Sequence, residues 1–299
     1  LIPAARLHAL TVAICLLPAS QLAAQDVAPT APSDVQVALN RIPGLFEIDL
    51  PATEIRGNVR LNFQPSFRDL IDKAYLRIPF EFRWGVNDHF ELNSAIETYV
   101  DHGLRQTRSG SGMSELHFGA KYAWTDWLKP TWNVSAGFNS SIPVDHPPLD
   151  LTDGHNHLTP YLVFGRKLGW KPGLSGFVQT SADFLSRSST PGAFGRNEPH
   201  SNSLTLTPGL LYDHRDWHYT LEVDGTTTSL VGKRDHNFLT IRPGVIWELP
   251  RWLVSQGSSR WFAGFSVAEV FGPDGTEFST GGRFRGEFNF TRLFGGNQP

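Results

Sequence analysis

From Asn58 onward the chain alternates apolar and polar positions with a period of two, most sharply between Tyr75 and Trp84. There Leu76, Ile78, Phe80, Phe82 and Trp84 fall on one side, while Tyr75, Arg77, Pro79, Glu81 and Arg83 fall on the other. Successive side chains of an extended backbone point to opposite faces, so only a strand separates these two sets. The same alternation recurs in 90–97, 116–124 and 132–139, then around 157–168, 174–184, 201–213, 217–226, 237–248, 260–271 and 281–294. With a first strand from Asn58 to Pro65, the pattern predicts about twelve strands, an even number of the kind bacterial membrane barrels use. Prolines at Pro79, Pro160, Pro208 and Pro243 fall inside these strands, where each lacks a ladder donor.

The connections alternate in length. Short turns are expected at 85–88, 126–130, 169–173 and 214–216, and longer polar loops at 101–114, 142–156, 185–200 and 227–236. The connection from Glu248 to Ser259 breaks the rule, being long where a short one is due. All the tryptophans, Trp84, Trp124, Trp127, Trp132, Trp170, Trp217, Trp247, Trp252 and Trp261, flank the short-turn end. An indole has an apolar body and a polar N–H, so this distribution predicts an aromatic girdle at a membrane–water interface. In hydrocarbon, strands must close so that no backbone group is left unpaired. The fold class expected is therefore an all-β transmembrane antiparallel up-and-down barrel over 58–299.

Residues ahead of the barrel read differently. Arg6 and His8 precede an apolar run over 9–17, followed by Pro18, Ala19, Ser20, Ala23 and Ala24. That order describes a secretory signal peptide over 1–24. Residues 25–57 lack a sustained period and read as a periplasmic lead-in or partial plug of the barrel. Cys15 is the one cysteine, and it lies inside the expected signal. No disulfide or thiolate chemistry is therefore expected of the mature chain. A formal net charge of −3 without a basic stripe argues against nucleic acid as a partner.

Candidate chemistry concentrates on the polar face. Arg77, Glu81, Arg83, Glu91, Glu97, Lys121, Lys167, Asp183, Glu222, Asp224, Arg242, Arg285 and Glu287 are the expected pore-lining residues. If the first hairpin folds with Arg83 opposite Glu91, Arg77 falls opposite Glu97 as a second cross-strand ion pair. Such charges either line a polar pathway or pair to fill a narrow barrel. His155 and His157, with nearby Asp145, Asp150 and Asp153, are metal-capable types, but their irregular spacing predicts no metal site. His200 and Ser201 are adjacent, so on a strand they point apart and cannot form a nucleophile–base pair. Neither a catalytic residue nor a cofactor is expected.

Two segments carry a family resemblance. Pro79-Phe-Glu-Phe-Arg-Trp-Gly-Val-Asn-Asp-His-Phe-Glu-Leu92 resembles a strand, Gly-x-x-Asp turn and Glu-Leu strand hairpin. Gly112-Met-Ser-Glu-Leu-His-Phe-Gly-Ala-Lys-Tyr122 resembles the strand that follows it, with Ser114 and Glu115 where Gly and Asp are usual. Both are similar to the outer-membrane proteins of the phenol meta-degradation (MetA) pathway, a family of transporter-like barrels. The resemblance implies an outer-membrane channel for aromatic or other hydrophobic compounds. The alternating aromatics Phe284, Phe288 and Phe290, with Phe294 near the chain's end, likewise resemble the signal read by the barrel-assembly machinery. The function expected is passive passage of a small-molecule solute across a Gram-negative outer membrane, with lipid as the surrounding partner. The alternatives are a closed structural or surface-binding barrel and an outer-membrane lipid hydrolase.

Overall fold

A computed structural model describes residues 42, 44–54, 56–63, 65, 75–103, 110–128, 132–144, 152, 154–187, 202–231, 237–250, 261–272 and 275–289. The expected signal peptide, the 145–151 stretch of the His/Asp-rich loop, His200, Ser201, Trp252 and Phe294 lie outside these residues.

The strands are β1 (Val59–Phe63), β2 (Tyr75–Gly85), β3 (Phe90–Asp101), β4 (Ser111–Leu128), β5 (Trp132–Pro143) and β6 (His155–Lys167). They continue as β7 (Leu174–Arg187), β8 (Ser203–His214), β9 (Trp217–Thr227), β10 (Asn237–Glu248), β11 (Trp261–Gly272) and β12 (Gly275–Asn289). Each pairs antiparallel with its neighbours in sequence, and β1 pairs with β12, so the sheet closes into a barrel. A ring has no free edge, which satisfies the backbone wherever hydrocarbon replaces water. β2 to β12 run 11 residues or more, enough at the usual tilt to cross a bilayer core, which takes about 9–11.

The barrel is inside-out relative to a soluble protein. Phe80 is 50% exposed and Phe118 is 49% exposed, whereas Glu91 and Lys121 are 1% exposed and Glu222 is 0%. Two stacked sheets would have buried those phenylalanines between them; here they stand on the outer wall while Glu91, Lys121 and Glu222 are buried inside.

The prolines fit because each sits where pairing lapses on one side. Pairing of β6 with β7 skips Pro160, that of β8 with β9 skips Pro208, and that of β10 with β11 skips Pro243. β1 stops opposite Phe80, one residue short of Pro79. In each case register resumes or ends without a shift, so the missing N–H costs one bond and leaves the facing pattern intact.

Two sequence expectations need correction. The first hairpin pairs Arg83 with Asn93 and Arg77 with Tyr99, so neither predicted pair is directly opposed. Val86 donates to the Phe90 carbonyl, placing the turn one residue later than the alternation implied. An even slip keeps every side chain on its own face, and Arg83 still reaches Glu91 diagonally at 3.5 Å. The last strand begins at Gly275, six positions before its expected start at 281, and its first residue pairs with Gly272 at the end of β11. Its first half, Thr276 to Gly282, is rich in Ser, Thr and Gly and offers no apolar alternation to read. Side chains of β12, including Arg285 and Glu287, are outside the described set.

Candidate functional site

A short hairpin occupies the barrel interior. Gly44 and Asp49 form an antiparallel bridge, and the Leu45 amide donates to the Ile48 carbonyl at 2.8 Å. A two-residue tip, Phe46-Glu47, is left between them. Ile42, Leu45, Phe46, Ile48 and Leu50 are buried in one cluster with Tyr161 and Val163 of β6, Phe177 of β7, Leu211 of β8, Ile246 of β10 and Phe262 of β11. A segment that touches both arcs of a closed ring lies within it, so Ile42 and residues 44–54 lie in the bore.

Small residues on the wall make room for it. A methyl group added at Gly209 would lie 2.3 Å from Ile48 Cδ1, and one at Gly244 would lie 2.4 Å from Phe46 Cε2. At Gly165 it would meet Phe177 Cδ1 of β7 at 2.7 Å and Pro51 Cγ at 2.9 Å. Glycine within a strand marks a place where another chain segment comes close, and three strands each provide such a notch.

Polar groups fix the hairpin at three levels. At the tip, the amides of Phe46, Glu47 and Ile48 donate to the two carboxylate oxygens of Glu222 on β9, at 2.9, 2.7 and 2.9 Å. Glu222 supplies the charge and the turn supplies the donors, so neither is left bare where water is excluded. Glu47 in turn reaches Arg242 Nη1 at 3.0 Å, and the same nitrogen lies 3.4 Å from Asp224.

Midway, Asp49 bridges opposite walls. Its carboxylate lies 2.8 Å from Arg83 Nη1 on β2 and 3.3 Å from Lys121 Nζ on β4. It also accepts from the Tyr161 hydroxyl of β6 at 3.3 Å, while its amide donates to Gln179 Oε1 of β7 at 2.9 Å. Burial alone would raise the Asp49 pKa, but Arg83 and Lys121 together outweigh it and hold the carboxyl at about 2.

Near the short-turn end, the Glu54 amide donates to Glu91 Oε2 at 2.7 Å, and the Glu54 side chain takes Arg60 Nε at 2.6 Å. Thr53 Oγ1 donates to the Asp88 carbonyl at 3.1 Å. These contacts place the segment's entry at the same end as the β2–β3 turn.

Of the sequence-derived interior positions, Arg83, Glu91, Lys121, Glu222 and Arg242 meet on the hairpin, Glu81 joins through Arg83 at 2.8 Å, and Asp224 joins through Arg242. Asp183 lies away from it, holding His157 Nδ1 at 2.8 Å and the Thr159 hydroxyl at 2.9 Å. Lys167 sits at the short-turn end of β6 and is exposed. Arg77 and Glu97 occupy the polar faces of β2 and β3 toward the long loops. Pattern reasoning missed Asp49, Asn62, Tyr161 and the three notch glycines. A readable signal was present, since Leu45-Phe46-Glu47-Ile48 is an apolar cluster inside an otherwise unpatterned lead-in.

On the long-loop side of the hairpin the interior opens. A cavity of about 360 Å³ lies between the hairpin and the β1–β7 wall. A second, of about 380 Å³, is lined by Glu115, Ser141, Thr152, His157 and Thr159, and His117 and Asn139 border both. Among the described residues no group of three or more His, Cys, Asp or Glu is placed to hold a metal ion.

At the short-turn end the outer wall carries stacked and cation-backed aromatics. Trp217 faces Trp247 across β9 and β10 with ring centroids 5.4 Å apart. Arg166 lies over Trp132, and Lys171 over Tyr212. Trp84 is part-exposed on the same rim, and Trp170 stands 77% exposed. The side chains of Trp127 and Trp261 are outside the described set.

No family model and no curated protein matches the sequence. Among solved structures, the chain is similar to KdgM porin at 13% identity, over 78% of this chain and 98% of that one, with a TM-score of 0.44. A structure of KdgM porin in complex with disordered oligogalacturonate gives 12% identity, 78% and 98% coverage and a TM-score of 0.46. An outer membrane channel from Pseudomonas putida F1 gives 8% identity, 80% and 97% coverage and a TM-score of 0.47.

Proposed function

We propose that this chain is a Gram-negative outer-membrane channel for passive passage of small molecules, its bore narrowed by residues 42–54. One observation carries the reading: a closed ring whose outer wall exposes large apolar side chains while Arg83, Glu91, Lys121 and Glu222 are buried within it, beside the apolar cluster around the hairpin. That arrangement is stable with lipid outside and a polar lumen within. The aromatic–basic rim at the short-turn end fits the periplasmic headgroup level, and it orients the long loops outward. The terminal aromatics ending at Phe294 fit recognition by the barrel-assembly machinery.

The segment 42–54 supports a plugged state as the resting one. Its side chains fill notches in the wall, and the buried ions around it are matched to its own charges and amides. For the solute, the family resemblance points to aromatic compounds, whereas the lining of the open cavity is mostly carboxylate, imidazole, amide and hydroxyl. The lining favours small polar solutes.

Conductance in planar bilayers tests the proposal. The full chain should give small or infrequent openings, and a variant lacking 42–54 should give larger, steady ones. Silence from both, together with no swelling of liposomes, would favour the closed structural barrel instead. The lipid-hydrolase alternative rests on Ser201, and unchanged lipid turnover in Ser201→Ala would remove it.

A further inference from the structure

The short-turn rim is not uniform around the ring. The β2–β3 turn carries Asp88 and no lysine or arginine, whereas Lys171 stands in the β6–β7 turn and Arg215 in the β8–β9 turn, both exposed. Those two turns are joined, since the Asp213 amide donates to the Gly173 carbonyl at 2.8 Å. Among the described residues no carboxylate pairs with Lys171 or Arg215, although Asp216 follows Arg215 in the chain.

Lys171 belongs to the lipid side. Its Nζ lies 4.2 Å from the centre of the Tyr212 ring. Leu211 is buried in the interior cluster, so its neighbour Tyr212 stands on the outer wall. His214 and Tyr219 flank that ring, each with its centroid 6.2 Å away. The aromatic face holds the ammonium against the wall and leaves its N–H bonds for a ligand. Leu210 and Leu221, paired across β8 and β9 and both exposed, continue the same face toward the middle of the bilayer.

Arg215 supplies an independent observation. It is the one non-glycine with a positive φ among the described residues, at 57°. It takes the first position of the two-residue turn between the paired His214 and Trp217, where the backbone favours glycine or asparagine. An arginine there strains the turn, and strain of this kind collects where a site needs a particular side chain. The side chain kept at that cost is a guanidinium at the headgroup level.

We infer that the β6–β9 sector of the rim binds the phosphodiester of an anionic phospholipid. Lys171 and Arg215 are the cations, Tyr212 is the platform, and Leu210 and Leu221 lie along the acyl chains. The inference rests on the membrane placement of the wall and is independent of whether the bore conducts. A guanidinium takes two phosphate oxygens at once, and an ammonium acts as a point charge. Neither cation has a protein counter-charge, so a headgroup that carries phosphate alone gains more than one that brings its own ammonium.

Native mass spectrometry of the full-length protein, released from bilayers of equal parts phosphatidylglycerol and phosphatidylethanolamine, tests the site. Phosphatidylglycerol should be retained in preference. Lys171→Gln and Arg215→Gln should each lower its retention about fivefold, the size expected for one cation near a membrane surface. Arg215→Lys, which keeps the charge, should retain most of it. Arg215→Gly relieves the turn, so it should fold at least as well as the parent yet lose retention as Arg215→Gln does. A merely structural arginine would not separate those two readouts. Equal retention of the two lipids, or a preference unchanged when Lys171 and Arg215 are both replaced by Gln, would overturn the site and leave the channel. Failure of the parent to enter the bilayer would remove the membrane placement and the site with it.

Discussion

The amide of Phe46 donates to Glu222 at 2.9 Å across 176 positions of sequence, and two neighbouring amides share the same carboxylate. This cradle joins the hairpin tip to the middle of β9. Hydrogen bonds to a charged acceptor are worth about 1.5–3 kcal/mol each, so the tip depends on Glu222 more than on any apolar contact. Glu222→Ala should free the tip while leaving the ring closed. In a Cys15→Ser background, a cysteine placed at Ala52 should react with maleimide markedly faster when Glu222 is also replaced. Equal rates would show that the cradle does not hold the segment.

The glycine notches make a different prediction, because they act by shape. Gly244→Val or Gly209→Val puts carbon where Phe46 or Ile48 now sits. Overpacking of this kind costs about 1–3 kcal/mol; at Gly209 the hairpin relieves it by withdrawing, and at Gly244 the Thr220 hydroxyl of β9, 2.7 Å from the added carbon, must also turn aside. Both variants should raise conductance while the folded barrel keeps its gel mobility and its resistance to detergent. Gly225→Ala is the control, since its nearest neighbour would be 3.8 Å away.

Asp49 sets a pH window. Its carboxyl, outside the strands, is lowered from 3.8 to about 2, a difference worth about 2 kcal/mol. A group whose pKa is depressed in the docked state stabilises that state above its free value, and the contribution is lost as pH falls through the depressed one. Docking through Asp49 should therefore be unaffected from pH 7 to about 4 and weaken between about 4 and 2. Asp49→Asn should abolish that acid-dependent part and raise conductance at neutral pH. Bilayer recordings between about pH 4 and 2 would show a smaller acid-induced rise in the variant than in the parent, the variant's remaining response coming from the other carboxylates that hold the segment.

Wall parity was legible because lipid outside and ions inside impose opposite chemistry on alternate residues. Phe80 beside Glu81, and Phe118 between His117 and Gly119, leave little freedom. The first hairpin register was not legible, because Arg83 opposite Glu91 and Arg83 opposite Asn93 give the same faces and differ only in where the turn closes. The early half of β12 was hidden by its Ser, Thr and Gly content. The hairpin interior to the barrel escaped for another reason: its contacts join residues about 35 to 176 positions apart, and no local period records them. Gly165, Gly209 and Gly244, all on the charged face, were the trace it left, since a narrow barrel has reason to fill that face unless something else does.

The rim should behave as a membrane anchor. Trp217 and Trp247 stack at the short-turn end, where each indole presents an apolar face outward. Trp247→Ala should slow folding into vesicles and lower the yield of folded protein without altering conductance of the barrels that do form. An unchanged yield would argue that this stack serves packing alone.

The claim on which the rest depends is that the apolar face of each strand meets lipid and the polar face meets an enclosed interior. Nitroxide labels placed singly at 78 through 83 in lipid-reconstituted protein measure this through their collision rates with oxygen, which concentrates in hydrocarbon. Rates should be high at 78, 80 and 82 and low at 79, 81 and 83. A flat profile, or one with the two sets exchanged, would contradict the membrane barrel and the channel together.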